Sequence, residues 1–246
     1  MTIDDFIYKL SQYKTSDTVF NMYYGDSKSA IACRKHLKDY LEKRKDANTL
    51  LVGEAPGYNG CAKTGVPFTS DSGEPSSKII QNFFIREFNG PRDDVLIWNA
   101  FPFHPHKKED NNTNRTPNAK ELKIGIDYLK QLFQTFPNIV CVGAIGNTAY
   151  NALKKIELDY APSKIRHPAH GGKKECEEGL FLAFNRFALI LLEEDIMKNV
   201  AEHTNNPEKA YKYLKEHRDE FFDWRQSSDH DEYDYAYFSI KNIDLD

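Results

Sequence analysis

The sequence has few cysteines, no basic surplus and no long apolar run, and each shortage removes a class of protein. Cys33, Cys61, Cys141 and Cys176 lie far apart and form no Cys-x-x-Cys pair. No zinc knuckle, thioredoxin-like site or disulfide framework can be read from them, and they fit reduced thiols in a cytoplasm. No window approaches the length of a membrane-spanning helix. The opening MTIDDFIYKL carries two acids and none of the apolar stretch of a secretory signal. A soluble, cytoplasmic monomer with no membrane partner is expected. No internal repeat, collagen-like period or disordered composition appears either.

What is present suits one generous globular domain. The chain has 246 residues, 40% of them hydrophobic, with 14 Tyr and 16 Phe to fill a large core. Its net charge of −4 hides a split. From Asp219 to Asp246 nine acids stand against Arg225 and Lys241, a net of −7, while the other 218 residues carry 31 basic and 28 acidic groups, a net of +3. A mildly basic body with an acidic tail leaves a polyanionic partner open.

Helical patterns at residues 2 to 13 and about 27 to 46 precede a change of period. Three short apolar runs, 49 to 53 (TLLVG), 95 to 99 (VLIWN) and 139 to 143 (IVCVG), each end at Gly or Asn, as strands buried on both faces do. Helices are expected at about 74 to 88, 117 to 135 with Pro117 in the first turn, 146 to 155, and inside 178 to 202; a fourth extended piece runs from 163 to 166. This alternation predicts an α/β fold, a three-layer α/β/α sandwich around a four-stranded parallel sheet. The α/β domain is expected over 1–203, with the N-terminal helices 2–46 included, and a C-terminal helix with the acidic tail over 204–246. In such sheets a ligand sits beyond the carboxyl ends of the strands, which directs attention to the exit loops.

The first exit, Gly53 to Phe68 (GEAPGYNGCAKTGVPF), is rich in Gly and Pro, and Glu54 is its one acid. A strand-end carboxylate either orients water and offsets positive charge or simply caps a turn. The run Gly57-x-x-x-x-Ala62-Lys63-Thr64 nearly matches a phosphate-binding P-loop but lacks its second Gly, and Gly65 and Pro67 stand where the helix should begin. Asn99 can offer an amide donor and acceptor to a flat heterocycle or close a turn; Phe68 can stack or join the core. His104, His106, His167 and His170 are imidazoles in polar loops, and also a conceivable ligand set for a metal-dependent hydrolase. No metal is expected.

The order of these pieces carries more than any one of them. Glu54 in G-E-A-P-G, G-x-P-F at Gly65 to Phe68, a strand ending in Asn99, Asn114-Arg115-Thr116-Pro117 with Glu121, then IVCVGAIGNTAYNAL and His167-Pro168-Ala169 together resemble the uracil-DNA glycosylase superfamily. Its iron-sulfur class has the most similar motifs. The resemblance covers about Leu50 to Gly172. It implies an enzyme of base-excision repair that flips uracil, or a related damaged base, out of DNA and hydrolyses its N-glycosidic bond. On that resemblance Phe68 stacks on the base and Asn99 reads its edge. His167 stabilises the departing base at O2, and Glu54 positions water, helped by backbone N–H groups of Ala55 and Gly57. Arg115, Arg166, His170, Lys173 and Lys174 are the expected contacts to the DNA backbone.

The resemblance fails at two places. The cluster cysteines of the iron-sulfur class have no counterparts, since Cys33 stands alone and Phe103 and His104 fill the stretch of the third ligand; no cofactor is expected. Gly171-Gly172 replace the bulky wedge that commonly follows the histidine motif, with His170 a poorer substitute. A rival reading is therefore a non-catalytic nucleic-acid-binding or regulatory protein on the same scaffold, with the acidic tail competing for DNA or recruiting a partner.

Overall fold

The computed structural model describes residues 1–68, 74–226 and 236–240. In chain order the elements are α1 (Ile3–Gln12), β1 (Val19–Phe20), α2 (Lys28–Glu42), β2 (Thr49–Gly53), α3 (Cys61–Thr64), α4 (Pro75–Phe88), β3 (Val95–Asn99), β4 (His104–Pro105), α5 (Ala119–Thr135), β5 (Cys141–Ile145), α6 (Asn147–Leu153), β6 (Ser163–Ile165), α7 (Lys173–Glu202), α8 (Pro207–Glu216), α9 (Arg218–Phe221), β7 (Phe222–Gln226) and β8 (Ala236–Ile240). They fall into two compact units, Met1–Gly179 and Leu180–Asp246. The expected division at residue 204 lies inside the second.

The first unit is built on the four-stranded sheet β3-β2-β5-β6, parallel throughout, with helices around it. Every residue of β2, β3 and β5 is buried, which explains why these strands read as unbroken apolar runs. β2 and β3 fall where the apolar runs stood. The third run is displaced: β5 continues through Gly143 to Ile145, because Gly143, Ala144 and Ile145 pair with Ser163, Lys164 and Ile165 of β6. Pro117 precedes α5 rather than entering its first turn. Asn118 takes the N-cap, accepting from the backbone N–H groups of Lys120 and Glu121, and Glu121 completes the box.

The core explains the aromatic content. Trp98 of β3 is buried and meets Phe6 of α1 at 5.5 Å between ring centroids. Phe101 and Phe103, on the β3 exit, are fully buried; Tyr13 stacks on Phe103 at 4.3 Å. The two-residue strands β1 and β4 pair antiparallel, tying the N-terminal segment to this exit. The aromatic segment after β3 is thus held by the rings of Tyr13, at the C-cap of α1, and Tyr128 of α5, consistent with burial of large flat side chains as the main local driving force.

The second unit has a small core of Met197, Ala201, Leu214 and Phe222. The chain past α9 does not run on as a plain polar tail: β7 and β8 pair antiparallel from Phe222↔Ile240 to Gln226↔Ala236. The acids Asp229, Asp231, Glu232, Asp234, Asp244 and Asp246 lie outside the described residues.

Candidate active site

The strand order puts β2, the first strand of the sheet in the chain, between the second and third, β3 and β5. The chain leaves β2 toward one side for β3 and returns on the other for β5, so the exits of β2 and β5 diverge and open a crevice. A cavity of about 480 Å³ lies there, and Glu54, Ala55, Gly57, Phe68, Asn99, Arg115, His167 and His170 all line it. Residues separated by more than 110 positions in sequence are brought to one wall. Arg166 and Lys173 are exposed and do not line it. Lys174 is exposed as well and pairs with Glu178 one helical turn on.

Backbone bonds fix the crevice before any side chain acts. The N–H groups of Ala100 and Phe101 donate to the carbonyls of Gly53 and Glu54 at 2.8 and 3.0 Å, locking the first two exits together. Gly53 pairs with Asn99 in register. A Cβ on Gly53 would stand 2.6 Å from the Phe68 ring and 3.0 Å from Asn99 Oδ1, so the glycine permits both side chains to approach the strand end. Phe68 itself has φ 52°, a left-handed conformation that a bulky residue adopts only under constraint, and Gln81 holds its carbonyl.

Three polar groups face the cavity in different states. Asn99 is 3% exposed, and its Oδ1 has no hydrogen-bond partner among the described residues. A buried acceptor left empty costs about 1–3 kcal/mol, which a ligand N–H would recover. Glu54 Oε2 accepts from the Thr148 hydroxyl at 2.6 Å, a bond that spans the crevice from the β2 exit to the start of α6. His167 is half-buried, and its Nδ1 accepts from the backbone N–H of Ala169 at 3.1 Å. A backbone N–H only donates, so Nδ1 carries no proton and the neutral ring keeps its hydrogen on Nε2. Burial is the largest influence and, with the nearby Arg166 and His170, holds the imidazolium form down despite the opposing attraction of Glu54.

Arg115 departs from the expected role. Its Nε donates to the His106 carbonyl, one terminal nitrogen to Glu121 Oε2 and the Thr116 carbonyl, and the other to Glu121 Oε1 and the Thr18 carbonyl. All five guanidinium N–H groups are used, which leaves none for a phosphate. Arg115 is a clamp joining β1, the β4 loop and the cap of α5. Glu121, buried, is held below the usual carboxylate range: burial alone would raise it, but Arg115 and the Asn118 N–H outweigh that.

The histidines before the clamp are structural in geometry. His104 is fully buried, with its nitrogens against the carbonyls of Pro56 and Asn111 at 2.8 and 3.0 Å; His106 Nδ1 meets the Lys107 carbonyl. Among the described residues no group of three or more His, Cys, Asp or Glu side chains gathers as metal ligands would. The four cysteines are buried, and none forms a disulfide among the described residues. Among the same residues no helix is long and apolar enough to cross a membrane.

Thr148 and Glu74 are among the residues of the site that were not singled out from sequence. Thr148 follows Gly146 at the third strand exit, where a hydroxyl can reach back to the first. Glu74 also lines the cavity. Its sequence setting, an acid just before Pro75 at a helix start, reads as an ordinary cap.

The family model for the uracil-DNA glycosylase superfamily matches residues 41–215. The chain belongs to that superfamily. Among solved structures it is similar to wild-type SMUG2 from Pedobacter heparinus, with 18% identity and a TM-score of 0.55 over 75% of this chain and 97% of that one. This likeness is one of fold. No curated protein matches the chain.

Proposed function

We propose that the chain is a DNA glycosylase that hydrolyses the N-glycosidic bond of a flipped uracil. The observation that carries this reading is the empty, buried Oδ1 of Asn99 beside the Phe68 ring at the strand end. An orphan acceptor next to an aromatic plate suits a flat base that presents an N–H, as uracil does at N3. Cytosine presents a lone pair at the same atom. Acceptor would then face acceptor, and a site built around a buried hydrogen bond rejects such an analogue strongly.

The remaining groups supply the chemistry of departure. As the C1′–N1 bond breaks, its electron pair goes to the base and spreads onto O2, while the sugar becomes oxocarbenium-like. A neutral His167 donating from Nε2 to O2 stabilises that charge without first giving up a proton. Glu54 has one oxygen tied to Thr148, and its Oε1, without a partner among the described residues, holds water near the sugar and offsets its positive charge. Arg166, His170, Lys173 and Lys174 meet the DNA backbone; Arg115 is withdrawn from that set because its donors are spent. The substrate is thus uracil-containing DNA, and no cofactor takes part in these steps.

The test compares oligonucleotides carrying one uracil or one cytosine. Release of uracil without cytosine, lost in Asn99→Leu, supports the reading; equal release of both bases by the wild-type chain contradicts it. Salt-sensitive DNA binding with no excision of either would instead favour a regulatory protein on this scaffold.

A further inference from the structure

Away from the crevice, on the flank of the first unit, two lysines meet over one tyrosine. β6 is an edge strand of the sheet, and its side chains alternate between the two faces. Ile165 is buried on the face of α7, where a Cβ on Gly179 would stand 3.4 Å from its Cγ2. Lys164 points to the opposite face, the side of α6, and is exposed. Its ammonium lies 5.5 Å from the centroid of the Tyr150 ring, and the ammonium of Lys154, the C-cap of α6, lies 5.7 Å from the same centroid. The ring is half-buried against the core and attracts each cation, but the cations repel one another. Neither has a hydrogen-bond or ion-pair partner among the described residues. The next acids along the chain, Glu157 and Asp159, line a separate cavity with Lys130. Two like charges held on one ring without a counter-charge suit an anion that both can meet.

The position of this pair identifies the anion. Helix rise puts Lys154 about 9 Å along α6 from Thr148, whose hydroxyl meets Glu54, and strand rise puts Lys164 about 7 Å before the exposed Arg166. Both lie below the strand exits, on the side of the sheet. A duplex seated across the exits, with a persistence length of about 150 base pairs, is too stiff to turn down that side, whereas a single strand follows it. We propose that Tyr150, Lys154 and Lys164 form a second nucleic-acid contact that takes the single strand leaving the crevice past Arg166. Its phosphates meet the two ammoniums, and the Tyr150 ring holds these in place. The inference rests on the reading of the crevice as a DNA site and adds a strand preference to it. Gly171 and Gly172 agree with that preference: where no bulky side chain fills the hole left by a flipped base, a duplex offers least advantage.

The experiment measures binding of the full chain to a fluorescent oligothymidylate, single-stranded or paired with its complement, over a range of salt. Lys154→Gln, Lys164→Gln is set beside the wild type and beside a control pair on the α2 side, Lys35→Gln, Lys45→Gln. Expected in the first pair is single-strand affinity roughly tenfold lower at low salt and a log–log salt slope shallower by about 1.4, two contacts at 0.7 each, with duplex affinity within a few-fold of wild type. Tyr150→Leu is expected to weaken single-strand binding, and Tyr150→Phe, which keeps the ring, to retain it. An unchanged single-strand slope in the first pair, an equal loss on duplex, an equal loss in the control pair, or a wild type that does not bind the single strand overturns the assignment. Wild-type affinity in Tyr150→Leu overturns the part given to the ring. The readout is binding to DNA without uracil, so the two readings fail separately. A chain that shows the expected slopes but releases no uracil loses the glycosylase reading and keeps this contact; one that releases uracil with unchanged slopes does the reverse.

Discussion

Replacing Arg115 by Met separates the clamp seen in the fold from the phosphate contact its sequence position suggests. The substitution keeps an unbranched apolar stem of similar reach and removes all five donors. Glu121, whose side chain is 7% exposed, then loses both guanidinium bonds, and the Thr18 and His106 carbonyls lose theirs. Breaking a buried pair from one side costs about 3–5 kcal/mol, and because Arg115 keeps 24% of its side-chain surface in water the lower end, about 3 kcal/mol, is the better figure. For a body of this size that is a fall in Tm of roughly 6–12 °C. The pH dependence has a definite sign. Glu121 has a folded pKa below its unfolded one, so the pair's contribution is present above the ordinary carboxylate range and is lost as pH falls through the folded value. The gap between wild type and Arg115→Met therefore narrows on acidification, and the double change Arg115→Met, Glu121→Leu recovers part of the loss. Thermal unfolding from pH 4 to 8 measures all three. An unchanged Tm, with DNA affinity weakened and its salt dependence flattened, would show that Arg115 serves phosphate and that the clamp argument is wrong.

Other consequences concern the reaction and the tail. Thr148→Val keeps the side-chain shape and removes the donor to Glu54; kcat on a uracil oligonucleotide is expected to fall roughly tenfold with KM nearly constant, and Thr148→Ser to restore it. An unaffected kcat in the valine variant would mean that the 2.6 Å bond does not position Glu54. Burial holds His167 neutral below the ordinary imidazole value of about 6.5, so activity should stay level down to that pH and decline only on its acid side. There a proton on Nδ1 would face the Ala169 N–H donor to donor; by the same sign, the stability His167 contributes is present above its unfolded pKa and lost as pH drops through the lower folded one. A pH–rate profile whose acid limb sits above 6.5 would contradict this. Neutralising Asp229, Asp231, Glu232 and Asp234 to their amides should tighten binding to short DNA at low salt, with the gain vanishing as salt rises. Substitution is cleaner than deleting residues 219 to 246, since Phe222 is 3% exposed in the core of the second unit; an affinity that does not change would show that the tail does not compete with DNA.

The parts of this protein legible in its sequence are those governed by local pattern. The run 95 to 99 became β3 residue for residue because an apolar stretch ending at Asn has one economical reading as a strand buried on both faces. The exits of these strands had to carry the candidate site once the sheet was parallel, and eight of the residues named from sequence line one cavity there. Distance in the chain hid the rest. Arg115 looked like a free cation because the carbonyl of Thr18, 97 residues away, is invisible in a linear reading. Gly143 looked like a strand end because its pairing with Ser163 is a property of the assembled sheet. Glu74 drew no attention in the sequence, because only the folded loop brings its carboxyl against Gly57 and Gly60.

The central claim, that this crevice excises uracil, is tested most directly by incubating the purified full chain with a single-stranded oligonucleotide containing one uracil and measuring free base, with His167→Ala alongside. The account predicts release of uracil, and in His167→Ala a turnover reduced roughly a hundredfold or more while DNA affinity changes little. Folded protein that releases no uracil from single or double strands, or a His167→Ala variant as active as the wild type, would contradict it.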